Sequence, residues 1–529
     1  MFRHIFTILL TLVVLSSCAK RASISGGLKD TIAPVMKQSY PPNYTTNFEG
    51  NEIKIVFDEY IKLKNLSKQL IVSPPMQRQP IITPTTASKT ITIKILDTLK
   101  ANTTYSFNFG KSIEDNNEGN PYQQFKYVFS TGSIIDSLKL RGRVFDAYNK
   151  DVEPFVSVML YEFDENYTDS LIYKQRPRYI TNTLDSIKIF EIENIKPGKY
   201  KLIALKDKNS NNKYDPKADK IGFLSQTITM PTDSLFTLKL FKESRPLKAN
   251  KPAQTNGSKL TLGYEGNFEM AKIKTFDGNS EVPNVVTKVV DKDSVLVWFP
   301  PSVKDSIRVT VSKGSYTKDF SIRLKEQKSD SLVLNPRYSS SLPLREEFAL
   351  KSATPLTFID STKITVRSQD STAQKFSVKY DEFLMELKVK FKKEPLEKYK
   401  IQFLPGAVKD FYNRKNDTLV YSVSTKNTSD YGNLRIAISN IKTYPVIVEL
   451  SDVKGATIAT SYLEEGNIVD FNLIDPMLYN LRIIYDTNKN GRWDEGNFLE
   501  NRQAEEVIYF PTSIDVRANW DVDQPFILK

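Results

Sequence analysis

Two stretches of the chain carry the same series of oxygen-bearing side chains. Asp207, Asn209, Asn211 and Asp215 stand at positions one, three, five and nine of the first. Asp486, Asn488, Asn490 and Asp494 stand at the same positions of the second. Both stretches read Asp-x-Asn-x-Asn-(Asn or Gly)-x-aromatic-Asp, and in both a tyrosine lies seven residues before the first aspartate. Hard oxygen donors at alternate positions suit calcium, which takes six to eight oxygens and tolerates irregular geometry. The sixth position must turn sharply. Gly491 meets that need, and Asn212 is the next best residue for it. Amides at positions three and five lower the charge, so binding is expected to be weak, roughly 10⁻⁴–10⁻³ M, with the ion pinning a loop and doing no chemistry. The same residues also suit an Asx-rich turn that satisfies its own backbone without metal.

These stretches resemble the front part of an EF-hand or dockerin-type calcium loop, here following a strand and not a helix. The resemblance breaks at position twelve, where an EF-hand has a bidentate glutamate. Ala218 and Asn497 stand there, with Asp219 and Glu500 nearby as substitutes.

The other residue with a chemical fate is Cys18, the only cysteine of the chain. It follows a basic start, an apolar run from Ile5 to Leu15, and Ser16-Ser17. That order is the pattern of a secretory signal, too short to span a membrane as a helix. Leu15-Ser16-Ser17-Cys18 resembles the lipobox of bacterial lipoproteins, which implies cleavage before Cys18 and acylation of its thiol. The other reading is an ordinary cleaved signal with an incidental cysteine.

Composition then removes most catalytic classes. The single histidine, His4, falls in the segment expected to be cleaved. A mature chain with neither histidine nor free thiol cannot assemble Ser-His-Asp or Cys-His nucleophiles, histidine-ligated zinc or a disulfide. Carboxylate pairs survive that exclusion but are common in any soluble protein. The formal charge is +12, and loss of Arg3 leaves 73 basic against 62 acidic residues, or +11. The basic residues are scattered, which fits a solvated surface or attraction to anionic headgroups and acidic glycans. No basic-aromatic motif points to nucleic acid.

The elements that position these residues are strands. Runs such as Glu52-Ile53-Lys54-Ile55-Val56-Phe57 and Thr90-Ile91-Thr92-Ile93-Lys94-Ile95 alternate apolar and polar residues between Asn, Asp, Gly and Pro. Such alternation predicts half-buried strands, and no stretch sustains a helical period with caps. The predicted fold is all-β: tandem antiparallel, Ig-like β-sandwich domains after a lipoprotein signal peptide. The expected units are a signal peptide (1–17), a lipidated cysteine and tether (18–29), and sandwiches at 30–133, 134–246, 247–345, 346–427 and 428–529.

Residues 30–133 hold Pro41-Pro42, Phe57-Asp58-Glu59, Asp115, Gly119-Asn120 and Phe129-Ser130-Thr131-Gly132, and resemble the bacterial Ig-like domains of Bacteroidetes lipoproteins. Residues 134–246 hold Leu140-Arg141-Gly142-Arg143-Val144 and Pro197-Gly198-Lys199-Tyr200, and resemble the carboxypeptidase regulatory-like, or transthyretin-like, sandwich. That resemblance implies a tyrosine corner at Tyr200. The unit at 428–529 repeats it, with Tyr479 matching Tyr200. Residues 346–427 echo the first sandwich, but Arg414-Lys415 replaces the Gly-Asn turn and Lys426 the closing glycine. Residues 247–345 show a β-rich run at Val295-Leu296-Val297-Trp298-Phe299 and no diagnostic motif.

The chain therefore reads as a lipid-anchored, non-enzymatic envelope protein with a structural or interaction role. The alternative is a surface glycan-binding or adhesion lipoprotein, in which Trp298, Trp493 or Trp520 would stack on sugars. Expected partners are the membrane, through Cys18, and an envelope protein or glycan. The resemblance to Bacteroidetes lipoproteins, in which an acidic cluster after the cysteine marks export to the surface, implies the periplasmic face of the outer membrane over the cell surface, since no such cluster follows Cys18.

Overall fold

The computed structural model describes residues 30–184, 188–301 and 305–529. Cys18 and the tether lie outside the described residues. Among these residues no helix is long and apolar enough to cross a membrane. The structure is nearly all β, and it divides into two compact units.

The first unit takes the described residues up to Lys139 together with Arg178–Leu184 and Ile192–Pro197. Its sandwich opposes two sheets. One contains β1 (Glu52–Leu63) and β2 (Ser88–Lys94), the other β3 (Thr104–Asn108) and β4 (Lys126–Ser130). The alternation in the sequence sets the core directly. Ile53 pairs with Ile93 and Ile55 with Ile91 across β1 and β2, and all four are fully buried. They pack with Phe107, Tyr127 and Phe129 from the opposite sheet. The Asp115 turn closes through its carboxylate. Oδ1 accepts from Glu118 N–H (2.6 Å) and Gly119 N–H (3.0 Å), and Oδ2 accepts from Asn120 N–H (2.8 Å). Gly119 takes φ +81°, which explains the glycine.

The second unit contains the rest of the sandwiches. In the second sandwich, β5 (Leu138–Asp146), β6 (Ser157–Glu162), β7 (Gly198–Lys206) and β8 (Leu235–Leu240) form the frame. Pairing of β6 with β7 is antiparallel, whereas β5 and β8, the first and last strands of the sandwich along the chain, pair in parallel, with Gly142 opposite Phe236. The last sandwich has the same plan. Here β9 (Gly432–Ser439), β10 (Val446–Ser451), β11 (Thr457–Leu463), β12 (Met477–Tyr485) and β13 (Asp521–Ile527) are its main strands. β10 lies between β11 and β12, and β9 pairs in parallel with β13 over seven residue pairs, Asn433–Asp521 to Ser439–Ile527. The tyrosine corner is explicit in this copy: Tyr479 is fully buried and its hydroxyl donates to the Asp475 carbonyl (2.7 Å). The Tyr200 ring is buried as well.

Between these copies lie two more sandwiches. One has a core of Leu260, Leu262, Val295 and Val297 against Ile307, Val309 and Val311. The other, with its core around Phe348, Leu387, Ile401 and Phe403, repeats the joints of the first sandwich. Lys100 N–H donates to Tyr105 Oη and Thr131 Oγ1 donates to the Lys100 carbonyl. Glu394 N–H and Thr425 Oγ1 make the same bonds with Tyr399 Oη and the Glu394 carbonyl. Asp410 stands where Asp115 stands, and the missing Gly-Asn turn has a physical replacement. Asp410 Oδ1 accepts from the N–H groups of Tyr412 and Arg414, and Oδ2 accepts from Arg414 Nε (2.9 Å).

Candidate functional site

Both Asp/Asn loops leave the end of a core strand, β7 or β12, whose buried residues fix where the first aspartate emerges. In the second copy Asp486 is 1% exposed. Its Oδ1 accepts from Asn490 N–H (3.1 Å), and Oδ2 from Gly491 N–H (2.7 Å) and the Tyr462 hydroxyl (3.0 Å). Gly491 has φ +77°, so the sharp sixth position is real. Asn488 and Asn490 both turn their amide groups to Asp494 Oδ2, at 2.7 and 2.5 Å. In the first copy Asp207 accepts from Asn209 N–H (3.0 Å) and Asn212 N–H (2.6 Å), and Asn212 has φ +58°. Asn209 Nδ2 reaches Asp215 Oδ2 at 3.4 Å, while Asn211 Oδ1 accepts from Lys213 N–H (2.8 Å). All eight predicted residues therefore lie in two like-shaped loops, and each first aspartate gathers the backbone of its own turn.

A carboxylate holds each loop from below, one at a position the spacing pointed to and one that it did not. Asp219, fully buried, accepts from Lys208 N–H (2.9 Å) through Oδ1 and from Asp215 N–H (2.8 Å) through Oδ2. Glu505, 8% exposed, accepts from Thr487 N–H (2.6 Å) through Oε1 and from Asp494 N–H (3.1 Å) through Oε2. One carboxylate thus spans positions two and nine of each loop. Asp219 fills this role in copy one. In copy two it is Glu505 and not Glu500, which is exposed and paired with Arg502 (3.2 Å). Burial, together with nearby Asp207 and Asp215, holds the Asp219 carboxyl above its ordinary range despite the two N–H donors. Among the described residues, no group of three or more carboxylate, histidine or cysteine side chains is arranged to hold a metal. A cation here would draw on amide and backbone oxygens.

The aromatic at position eight anchors each loop sideways. Tyr214, 3% exposed, donates its N–H to the Ile172 carbonyl (2.9 Å), and its ring meets Tyr173 (5.3 Å) in α1 (Leu171–Lys174). In copy two the equivalent Trp493 donates Nε1–H to the Glu505 carbonyl (3.1 Å), and its ring meets Tyr148 of the second sandwich (4.8 Å). Trp298 is a core residue, bonded to Thr287 Oγ1 (2.9 Å), while Trp520 is half-exposed beside Arg517.

Tyr148 opens onto a joint within the second unit. Arg482 lies on β12 and is 1% exposed. Its guanidinium sits 3.9 Å from the Tyr148 ring centre and pairs with Glu449 (2.6 Å) and the Tyr509 hydroxyl (3.0 Å). Tyr509 in turn donates to the Tyr148 carbonyl (2.8 Å). Farther along the same contact, Glu243 accepts from the Tyr214 hydroxyl (2.6 Å) and from Phe498 N–H, and Phe223 meets Phe498 edge-on (5.1 Å). The last sandwich therefore docks on the second.

Residues 30–131 match the family of the bacterial Ig-like domain. The chain carries a bacterial Ig-like domain. The match falls on the stretch whose Asp115 turn and closing Phe129-Ser130-Thr131-Gly132 pointed to that family. No curated protein matches the chain. Solved structures resemble it at low identity. The surface layer protein SbsC, domains 1–6, is 12% identical, with 92% of this chain and 67% of that one covered and a TM-score of 0.16. SGBP-B of the Bacteroides ovatus mixed-linkage glucan utilization locus, solved with a mixed-linkage heptasaccharide, is 10% identical, with coverages of 72% and 92% and a TM-score of 0.19. The Bacillus anthracis TIE protein is 12% identical, with coverages of 99% and 78% and a TM-score of 0.14. Likenesses at these scores carry no argument about function.

Proposed function

We propose that this protein is a lipid-anchored envelope scaffold: Cys18 holds it to the outer membrane, and its sandwiches bind another envelope component, protein or glycan. The role is structural or interactive and not catalytic. The observation that carries it is the joint at Arg482. A buried arginine is costly unless every partner is in place, and here its partners come from two sandwiches. The buried polar groups described above are likewise committed to turns and joints, which suits a body that presents surfaces. The anchor rests on the lipobox-like Leu15-Ser16-Ser17-Cys18. Metabolic labelling with an alkyne-bearing palmitate tests it: the wild type should take up label and Cys18→Ser should not. Labelling of both at the same level sinks the anchor. Protease shaving of intact cells should leave the protein uncut on the periplasmic face. Cross-linking in membranes followed by purification should recover the partner.

The two loops are proposed to take calcium as a weak structural ion. The convergence of Asn488 and Asn490 on Asp494 supports it, since it gathers the side chains of positions three, five and nine about one point. Millimolar calcium should raise the wild-type melting temperature, and Asp486→Ala should reduce that gain. A wild-type melting temperature unmoved by calcium disposes of the idea.

A further inference from the structure

The outer face of the β10–β11 sheet carries a cavity of about 500 Å³ beside the second Asp/Asn loop. We infer that this cavity is a binding site for a neutral saccharide. This rests on the interaction role proposed above and not on the lipid anchor. Its volume lies within the roughly 300–1,000 Å³ of small-molecule sites. Register explains how it forms. Ile447 on β10 lies opposite Tyr462 on β11, so both side chains stand on the same face, away from Val446, Val448 and Ala459 in the core. Ile447 is buried and makes the floor. Tyr462 forms one wall and Tyr444 another, and Lys489 and Asn490 of the loop close a third side.

Two properties select the ligand. First, both tyrosines are 40% exposed, yet neither swings freely. The Tyr462 hydroxyl donates to Asp486 and the Tyr444 hydroxyl to the Gly466 carbonyl (2.5 Å). Aromatic faces held in place by their own hydroxyls offer apolar platforms at low entropic cost. The C–H faces of a pyranose ring suit such platforms. Second, the polar rim offers one carboxylate (Glu464) and one ammonium (Lys489). Hydroxyl groups both donate and accept, so a sugar can use both. The two charges offset one another, so the rim gives a ligand of net charge no advantage over an uncharged polyol that bonds to both groups. The link from Tyr462 to Asp486 also ties the shape of the site to the order of the loop.

The full chain, purified in detergent, should be screened on an array of neutral and acidic oligosaccharides and the hits titrated by calorimetry. Neutral oligosaccharides should bind. Tyr444→Ala should weaken them roughly tenfold or more, and Glu464→Gln should weaken them without moving the melting temperature. The inference is overturned if no neutral sugar binds at millimolar concentration, if only acidic sugars bind, or if a bound sugar ignores both substitutions. Membrane cross-linking that still captures a protein partner from the Tyr444→Ala variant, with the array silent, would remove this site and leave the interaction role standing.

Discussion

Arg482 shows how far a single side chain can be from its sequence appearance. On β12 it takes the outward-facing register, paired opposite Glu449, and reads as an ordinary strand-face arginine. Its burial comes from Tyr148, which lies 334 residues earlier. No local pattern encodes that distance. Replacing Arg482 with Ala empties a buried site and leaves the half-buried Glu449 without its partner, and a cost of about 3 kcal/mol is expected. Arg482→Lys should recover little, since one ammonium cannot cover Tyr148 and bond Glu449 and Tyr509 together. Thermal denaturation of both variants checks this. Asp115 is the opposite case, legible in sequence because its donors lie within five residues. Burial alone would raise its carboxyl, but the N–H groups of Gly119, Asn120 and Glu118 outweigh burial and hold it below the ordinary aspartate value. A depressed folded value means stability that is present above the unfolded value, near 3.9, and lost as pH falls through the folded one. Asp115→Asn should therefore flatten the loss of first-sandwich stability below about pH 4, measured by acid denaturation of wild type and variant.

At the scale of elements, the paired loops were visible because their oxygen-bearing residues are contiguous. Their supporting carboxylate was visible only in copy one. Asp219 follows Asp207 closely, across a single tight turn, whereas Glu505 stands beyond the inserted stretch from Glu495 to Ala504 and has no fixed spacing to find. Glu505→Gln keeps an acceptor for Thr487 but sets an amide NH₂ against one of the backbone N–H groups. A loss of about 1–3 kcal/mol is expected, together with faster hydrogen exchange at Thr487 and Asp494. Unchanged exchange there would mean that the loop holds itself. The strands themselves were legible from their period of two. The Arg414 turn was not, because a guanidinium replacing backbone donors leaves no turn signature.

For the whole molecule, the joint has a measurable consequence within the second unit. Two repeated sandwiches that dock should melt together, while separately held ones would melt apart. Calorimetry of the wild type is expected to show the second and last sandwiches in one transition. Arg482→Ala should split it, and a wild-type trace already split there would count against the joint. This arrangement could not be read from the sequence, since the contacts lie between copies and each copy alone satisfies its own strand pattern.

The parallel pairing of β9 with β13 bears on mechanics. Terminal strands that run the same way deliver the entering and leaving chain to opposite ends of the pair. Tension on the last sandwich would then shear seven residue pairs at once instead of peeling them singly. The β5–β8 pair of the second sandwich would be loaded in the same sense. Both copies are thus built to resist stretching along the chain.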